Sequence, residues 1–422
     1  MLSEAEIKET LVRQRETILN KKCGIEREAL LEVERKIKLP HVIVLTGLRR
    51  SGKSTLLRQI IKKHYQDEDF YYINFEDERL FNFPANEFNR LHEALISLYG
   101  KKKAFLIDEI QNVSNFETFI RRLYEEGIKF FITGSSAALL SREIGTKLTG
   151  RHVDIVVNPF SFSEFLKLKG IRVEKEDIYK AGPKTQIKKY FEEYLIKGGM
   201  PEYLVYNDPE VLTKTYDDII IKDIAVRYKV ENVFVLRQLY SYLTSNFASK
   251  FSYNSIRKFI NIRSVNTIKK FISYLEETYF VKTISKFDYS LKKQMINDKK
   301  LYVVDNGFIS LISKRLTKDY GWLLENLVFN CLKINKEIFY YSNKRECDFI
   351  LVKNKEVTRA VQVCYDLSEE NKERELQGLH EAMSNFNLKS GLILTLDHEE
   401  ETVFNGKKII IMPVWKWLLS KP

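Results

Sequence analysis

The chain has few of the residues that hold a polypeptide together by means other than packing. Only four cysteines occur in 422 residues (Cys23, Cys331, Cys347 and Cys364), and no two form a CxxC pair. That excludes a disulfide framework, and the six scattered histidines add no tight ligand set for structural zinc. Long apolar runs are also missing. None approaches the roughly 18–20 residues that span a bilayer, so no membrane partner is expected. Met1-Leu2-Ser3-Glu4 lacks the basic start and apolar core of a signal peptide, whereas Ser3 and Glu6 have the spacing of a helix capping box. Internal repeats and low-complexity linkers are absent, which predicts domains that pack on one another. A reducing cytoplasm is the expected setting.

What is present describes a globular α/β protein. Hydrophobic residues make up 44% and charged residues 30%, and the length predicts two to four domains. The net charge of +12 is uneven, since residues 233–303 hold 13 basic and 4 acidic residues, a net of +9. A local basic surface of this kind attracts polyanions, and double-stranded DNA is the partner it suggests.

Residues 1–40 read as two charged amphipathic helices that end at Pro40 and pack on the core. Strands are predicted at His41–Thr46, Phe70–Phe75, Ala104–Asp108, Lys129–Thr133 and Val153–Val157, with helical connections between them. Continuous apolar strands joined in this way predict a parallel sheet covered on both faces. The remaining divisions are a core over 41–165, a helical stretch over 166–232, a basic domain over 233–305 and a further α/β unit over 306–422.

The chemistry begins at Gly47-Leu48-Arg49-Arg50-Ser51-Gly52-Lys53-Ser54, which fits G-x-x-x-x-G-K-[ST] without departure. Its glycines let the backbone curl so that successive N–H groups face phosphate oxygens. The helix that follows adds a dipole favouring anions. Lys53 is expected to bridge the outer phosphates, Ser54 to ligate Mg2+ and Thr55 to reach the α-phosphate. Asp108 and Glu109 end a buried strand, where parallel sheets bind ligands. Asp108 then holds the metal shell, and Glu109 activates the attacking water. At the tip of the next strand Ser135 is favoured as the group sensing the γ-phosphate, with Thr133 and Ser136 close behind. Arg151 and Arg142 are candidate arginine fingers, in cis or from a neighbouring subunit.

These motifs, together with Leu148-Thr149-Gly150-Arg151, Asn158 through Phe165 (NPFSFSEF) and Gly198-Gly199-Met200-Pro201-Glu202, resemble one family over nearly the whole chain. It is the prokaryotic AAA+-type ATPases that carry a poorly characterised C-terminal domain. The resemblance implies an ASCE-type P-loop core with a helical lid, a winged helix and a nuclease-like terminal fold, and it implies ATP as the nucleotide. It specifies no target.

Within the basic domain, Ser252–Ile260 and Ser264–Thr278 fit a helix-turn-helix, followed by two strands and a wing. Ile268, Phe271, Leu275 and Thr278 form a core face, leaving Asn266, Thr267, Lys269 and Lys270 as groove-facing candidates. Lys292, Lys293, Lys299 and Lys300 are expected to contact phosphates from the wing. The terminal unit resembles the restriction-endonuclease-like PD-(D/E)xK core. Glu325, Asp348 and Gln362 stand at its metal positions, but Cys364 replaces the lysine, and a neutral thiol cannot act as that cation. Cleavage is therefore not expected unless Lys344 or Lys353 turns inward. Three functions follow from these readings: a Mg-dependent ATPase acting on or with DNA, a slow nucleotide-gated switch that binds protein partners or itself, and an ATP-regulated nuclease.

Overall fold

The computed structural model describes residues 2–66, 68–80, 83–135, 148–313, 320–333 and 337–420. The chain folds as two compact units, residues 1–159 with 277–279, and residues 160–276 with 280–422.

In the first unit, α1 (Glu4–Asn20) and α2 (Glu28–Lys36) precede β1 (Val42–Thr46) and α3 (Lys53–His64). β2 (Phe70–Asn74), α4 (Phe88–Tyr99), β3 (Ala104–Asp108), α5 (Phe116–Glu125), β4 (Lys129–Gly134) and β5 (His152–Val156) follow. The strands form one sheet in the order β2-β3-β4-β1-β5, and every pairing is parallel. β1 is buried at all five positions, as a strand covered on both faces requires. Alternate side chains serve opposite faces: Val42 and Val44 pack with residues of α1, α4 and α5. Ile43 and Leu45 pack with those of α2 and α3. Two burials of about 2 kcal/mol per large aliphatic side chain thus arise from each pair of adjacent strand residues.

The strand order positions the site. β4 lies between β1 and β3, so its tip separates the loop after β1 from the acidic end of β3. The chain leaves β1 through α3 to β2 at the far edge, returns through α4 to β3, and only then fills the gap with β4.

The second unit begins at Phe160, six residues before the expected start of the next division at 166. The reason is local: Phe160 N–H donates to the Gly199 carbonyl at 2.7 Å, and Tyr194 Oη donates to the Phe160 carbonyl at 2.7 Å. Phe160 and the turn at Gly198-Gly199 therefore pack on each other. Gly199 leaves no room for a side chain, since a Cβ would lie 2.2 Å from the Phe160 carbonyl oxygen. Helices span Phe162–Leu168, Ala181–Lys197, Pro201–Tyr206 and Pro209–Asp218, the last running into a π-helical stretch at Ile219–Val226.

Residues 233–303 open with the helix Val233–Ser245 and a short strand, β6 (Lys250–Phe251). Helices Tyr253–Ile260 and Val265–Glu277 come next, then β7 (Val281–Ser285) and β8 (Lys299–Val303). The three strands form an antiparallel sheet in the order β6-β8-β7. Between β7 and β8 sits the helix Leu291–Ile296. The remainder is a six-stranded mixed sheet in the order β13-β14-β12-β11-β10-β9. Its strands are β9 (Glu337–Ser342), β10 (Glu346–Lys353), β11 (Glu356–Val363), β12 (Ser390–Thr395), β13 (Glu400–Phe404) and β14 (Lys407–Pro413). Helices Tyr320–Leu332 and Glu369–Asn385 accompany it. Among the described residues no helix is long and apolar enough to cross a membrane.

Candidate functional site

The loop after β1 turns on three residues with positive φ: Gly47 (138°), Arg50 (61°) and Gly52 (100°). At Gly47 a Cβ would lie 2.4 Å from the Val157 carbonyl oxygen. Glycine is therefore needed there both for its dihedral and for its missing side chain. Gly52 caps α3 in the left-handed region, so the first N–H groups of that helix open toward the loop. Ser51 is fully buried, and its Oγ has no hydrogen-bond partner. An orphaned buried hydroxyl among the N–H groups of this loop fits a ligand oxygen.

Lys53 is 4% exposed, lies 3.9 Å from Glu109 Oε1, and donates from Nζ to the carbonyls of Gly47 at 3.2 Å and Leu48 at 3.1 Å. Its ammonium is thus held over the cradle. Asp108 is buried, and burial first, then the charge of Glu109, pushes its carboxyl above the usual range, against hydrogen bonds from Thr133 and Ser54. Asp108 and the Ser54 hydroxyl that hydrogen-bonds it are two oxygen donors side by side, which fits a magnesium ion.

Thr133 joins the parts. Its Oγ1 donates to Asp108 Oδ1 and accepts from the Glu109 N–H at 2.9 Å. Glu109 itself sits at φ 53°, ψ 48°, a left-handed conformation that costs a non-glycine residue about 1–2 kcal/mol. Gln111 Nε2 donates to Glu109 Oε2 and lies 3.3 Å from Ser135 Oγ. Ser135 therefore reaches Glu109 through Gln111, whereas Thr133 touches both acids directly. Ser136 and Arg142 lie outside the described residues. Thr55 Oγ1 accepts from Arg58 at 2.7 Å, and Arg49 lies 3.4 Å from Glu76.

Arg151 stands elsewhere. Its carbonyl accepts from Val42 N–H at 2.8 Å, and its guanidinium pairs with Glu125 at 2.9 Å. Val42 begins β1, and the loop follows the strand's other end, a strand length of about 15 Å away. The cis arrangement considered for Arg151 is therefore corrected: it cannot reach a nucleotide on its own loop.

One positioning residue escaped the sequence reading. Arg27 is 3% exposed and donates to the Ser51 carbonyl at 2.6 Å and the Asn158 carbonyl at 2.6 Å. Gln59 of α3 holds the same segment, accepting from Arg27 N–H at 3.1 Å and donating to the carbonyls of Cys23 and Ile25. The N-terminal segment thus braces the loop from outside the motif. Nothing in Gly24-Ile25-Glu26-Arg27 signals this.

In the second unit, Asn266, Lys269 and Lys270 are exposed and Thr267 half-buried, while Ile268, Phe271 and Leu275 are buried. Lys292 and Lys293 are exposed on the helix Leu291–Ile296. Lys300 contradicts expectation, being 4% exposed and turned into the acidic pocket of the terminal sheet. Glu325, Asp348, Gln362 and Cys364 do line that one pocket, of about 500 Å³. Gln362 is committed at both ends: Oε1 accepts from Asp348 N–H at 3.2 Å and Nε2 donates to Glu375 at 2.7 Å. The Cys364 thiol, pushed up to about 12 chiefly by burial, is neutral as expected. Lys344 and Lys353 are exposed and do not turn inward.

Comparison with known proteins agrees with the first unit's geometry. Residues 40–166 match the family model described as an AAA domain, and residues 188–319 match a domain of unknown function. An uncharacterized protein of Haemophilus influenzae is 28% identical over 413 residues, covering 93% of this chain and 99% of its own. Among solved structures, the replication initiator DnaA bound to AMPPCP and single-stranded DNA is 19% identical, covering 59% of this chain and 86% of that one, with a TM-score of 0.26. The Thermotoga maritima RuvB branch migration motor is 15% identical, covering 67% and 89%, with a TM-score of 0.24. Scores of this size leave function to be argued from the site. An uncharacterized protein of Methanocaldococcus jannaschii is 36% identical over 410 residues, 92% of this chain and 90% of its own. With that extent of match and an AAA domain over residues 40–166, the chain is an AAA-domain protein of the same family as this M. jannaschii relative.

Proposed function

We propose that the first unit binds Mg-ATP and hydrolyses it. The loop amides and Lys53 grip the phosphates. Ser54 and Asp108 would hold magnesium, which when bound neutralises the charge on the outer phosphates. Glu109 takes the proton from the attacking water, and Gln111 and Ser135 fix its carboxylate. The observation that supports this reading best is Thr133, on the strand inserted between β1 and β3, bonded to Asp108 and Glu109 together. Such a link fixes an acid and a base at hydrogen-bond precision, which a pair of solvated carboxylates would not need. Steady-state phosphate release tests it: the wild-type chain turns over ATP in magnesium, and Lys53→Ala does not.

For the partner, the +9 charge of residues 233–303 and the exposed Asn266, Lys269 and Lys270 support duplex DNA held by a winged helix. A second reading, a switch that binds protein, is favoured by a different observation. Tyr289, Leu291, Met295 and Ile296 are 82%, 75%, 74% and 73% exposed and flank Lys292 and Lys293 in the chain. Stimulation of turnover by duplex DNA separates the two readings: an increase supports the first, and indifference supports the second.

A further inference from the structure

The acidic pocket of the terminal sheet lies outside the nucleotide site, and its chemistry turns on a residue from another sheet. Lys300 belongs to β8, the middle strand of the three-stranded sheet, paired with Lys250 on one side and Ile284 on the other. Its side chain leaves that sheet and ends among three carboxylates. Nζ lies 3.0 Å from Glu325 Oε1, 2.7 Å from Glu346 Oε1 and 3.2 Å from Asp348 Oδ1. An ammonium has three N–H donors, and here each has a carboxylate.

The carboxylates have little capacity left. Glu325 Oε1 also accepts from Tyr302 Oη at 2.6 Å, and the second oxygen of Asp348 accepts from Val363 N–H at 3.0 Å. Glu346 pairs in addition with Lys250. Oxygen ligands sit about 2.0–2.6 Å from magnesium or calcium, so a divalent ion bridging Glu325 Oε1 and Asp348 Oδ1 would stand where Nζ stands, 3.0 and 3.2 Å from the same two oxygens. Withdrawal of the ammonium is opposed by its burial, at 4% exposed, and by the three carboxylates that would lose their counter-ion. The residues of the nuclease-like site therefore do not fit the metal that such a fold implies.

We propose that Lys300 is a built-in counter-ion occupying the cation position of this pocket, so that the terminal domain takes no divalent metal and its carboxylates serve to lock β8 against the terminal sheet. The lysine absent at Cys364 has not been restored by Lys300 for catalysis, since all three of its donors are spent on the ligand set itself. Glu325 and Asp348 remain a latent cation site, uncovered when the ammonium is removed.

Manganese binding to chelator-washed, nucleotide-free full-length protein tests this. The wild-type chain should show no Mn2+ site that depends on Asp348. Lys300→Met should gain one Mn2+ per chain, lost again in Lys300→Met/Asp348→Asn, while Lys300→Arg, which keeps the charge, should gain none. Should Lys300→Met fail to fold in chelator, Mn2+ is expected to restore its cooperative melting, and sodium chloride of equal ionic strength is not. An Asp348-dependent Mn2+ site in the wild type overturns the proposal. So does a Lys300→Met chain that neither binds Mn2+ nor is rescued by it.

Discussion

At the residue scale the first unit concentrates cost in Glu109, a left-handed residue whose backbone and side chain are both tied down. Replacing its base without disturbing those ties separates binding from chemistry. Glu109→Gln should retain nucleotide affinity by calorimetry and lose turnover by at least about 100-fold. Were it to hydrolyse at the parental rate, another acid would be at work, and Glu76 would be tested before Asp77. Asp77 is held down at about 2, chiefly by Arg79, which makes it a poor base. In the second unit Asp305 is the informative titrating group. Burial raises it from its ordinary value of 3.8 to about 6, against hydrogen bonds from the N–H groups of Gly199 and Gly307. The folded state then holds this proton more tightly than the unfolded chain, so the contribution of Asp305 is most favourable in acid and declines as pH rises from about 4 to 6. Asp305→Asn lacks that decline. Its stability relative to wild type, read from denaturant midpoints, should rise across that window by up to about 3 kcal/mol and stay level above it.

At the scale of elements, turns and short helices decide more than strands do. The Gly198-Gly199 turn is an example: Gly198 has φ +70°, and a Cβ there would stand 2.0 Å from Asp305 Oδ1. Gly198→Ala should cost about 2–3 kcal/mol of stability, measurable as a lowered Tm, with nucleotide binding by the first unit unaffected. The basic surface makes a separate prediction. Neutralising Lys269, Lys270, Lys292 and Lys293 together should weaken duplex binding and flatten its salt dependence by roughly 0.9 log units per log unit of salt for each phosphate left without its lysine. An unchanged slope would remove this surface from the DNA interface and leave the exposed apolar residues around Leu291 as the docking feature.

At the scale of the whole molecule the open question is whether one chain makes a complete ATPase. Arg151 lies at the sheet edge away from the loop, so any contribution to turnover must come from a second copy. Specific activity should then rise with protein concentration, and Arg151→Ala should lower it by up to about 1,000-fold. Mixing Arg151→Ala with Lys53→Ala should restore part of the activity, since each chain supplies what the other lacks. A rate per chain that is flat with concentration, and insensitive to Arg151→Ala, would assign turnover to the single chain.

The loop, its helix and the acidic strand end were legible in the amino-acid order because they are local: glycines at fixed spacing, an apolar run of five residues and two acids at its end depend on neighbours in the chain. The core strands were legible for the same reason, as continuous apolar segments. Pairings between residues far apart in sequence were not. Arg27 reaches Ser51 and Asn158, and Lys300 reaches Glu325 and Asp348, only once the strands are ordered. A lysine written among other lysines reads as solvated until a sheet turns it inward. Sequence alone determined that the first unit sets a glycine-rich loop between a buried strand and a helix, with two acids at the end of a second buried strand. Tertiary structure decided which charge stands where, because burial and distance, which set the worth of a charge, belong to the folded chain.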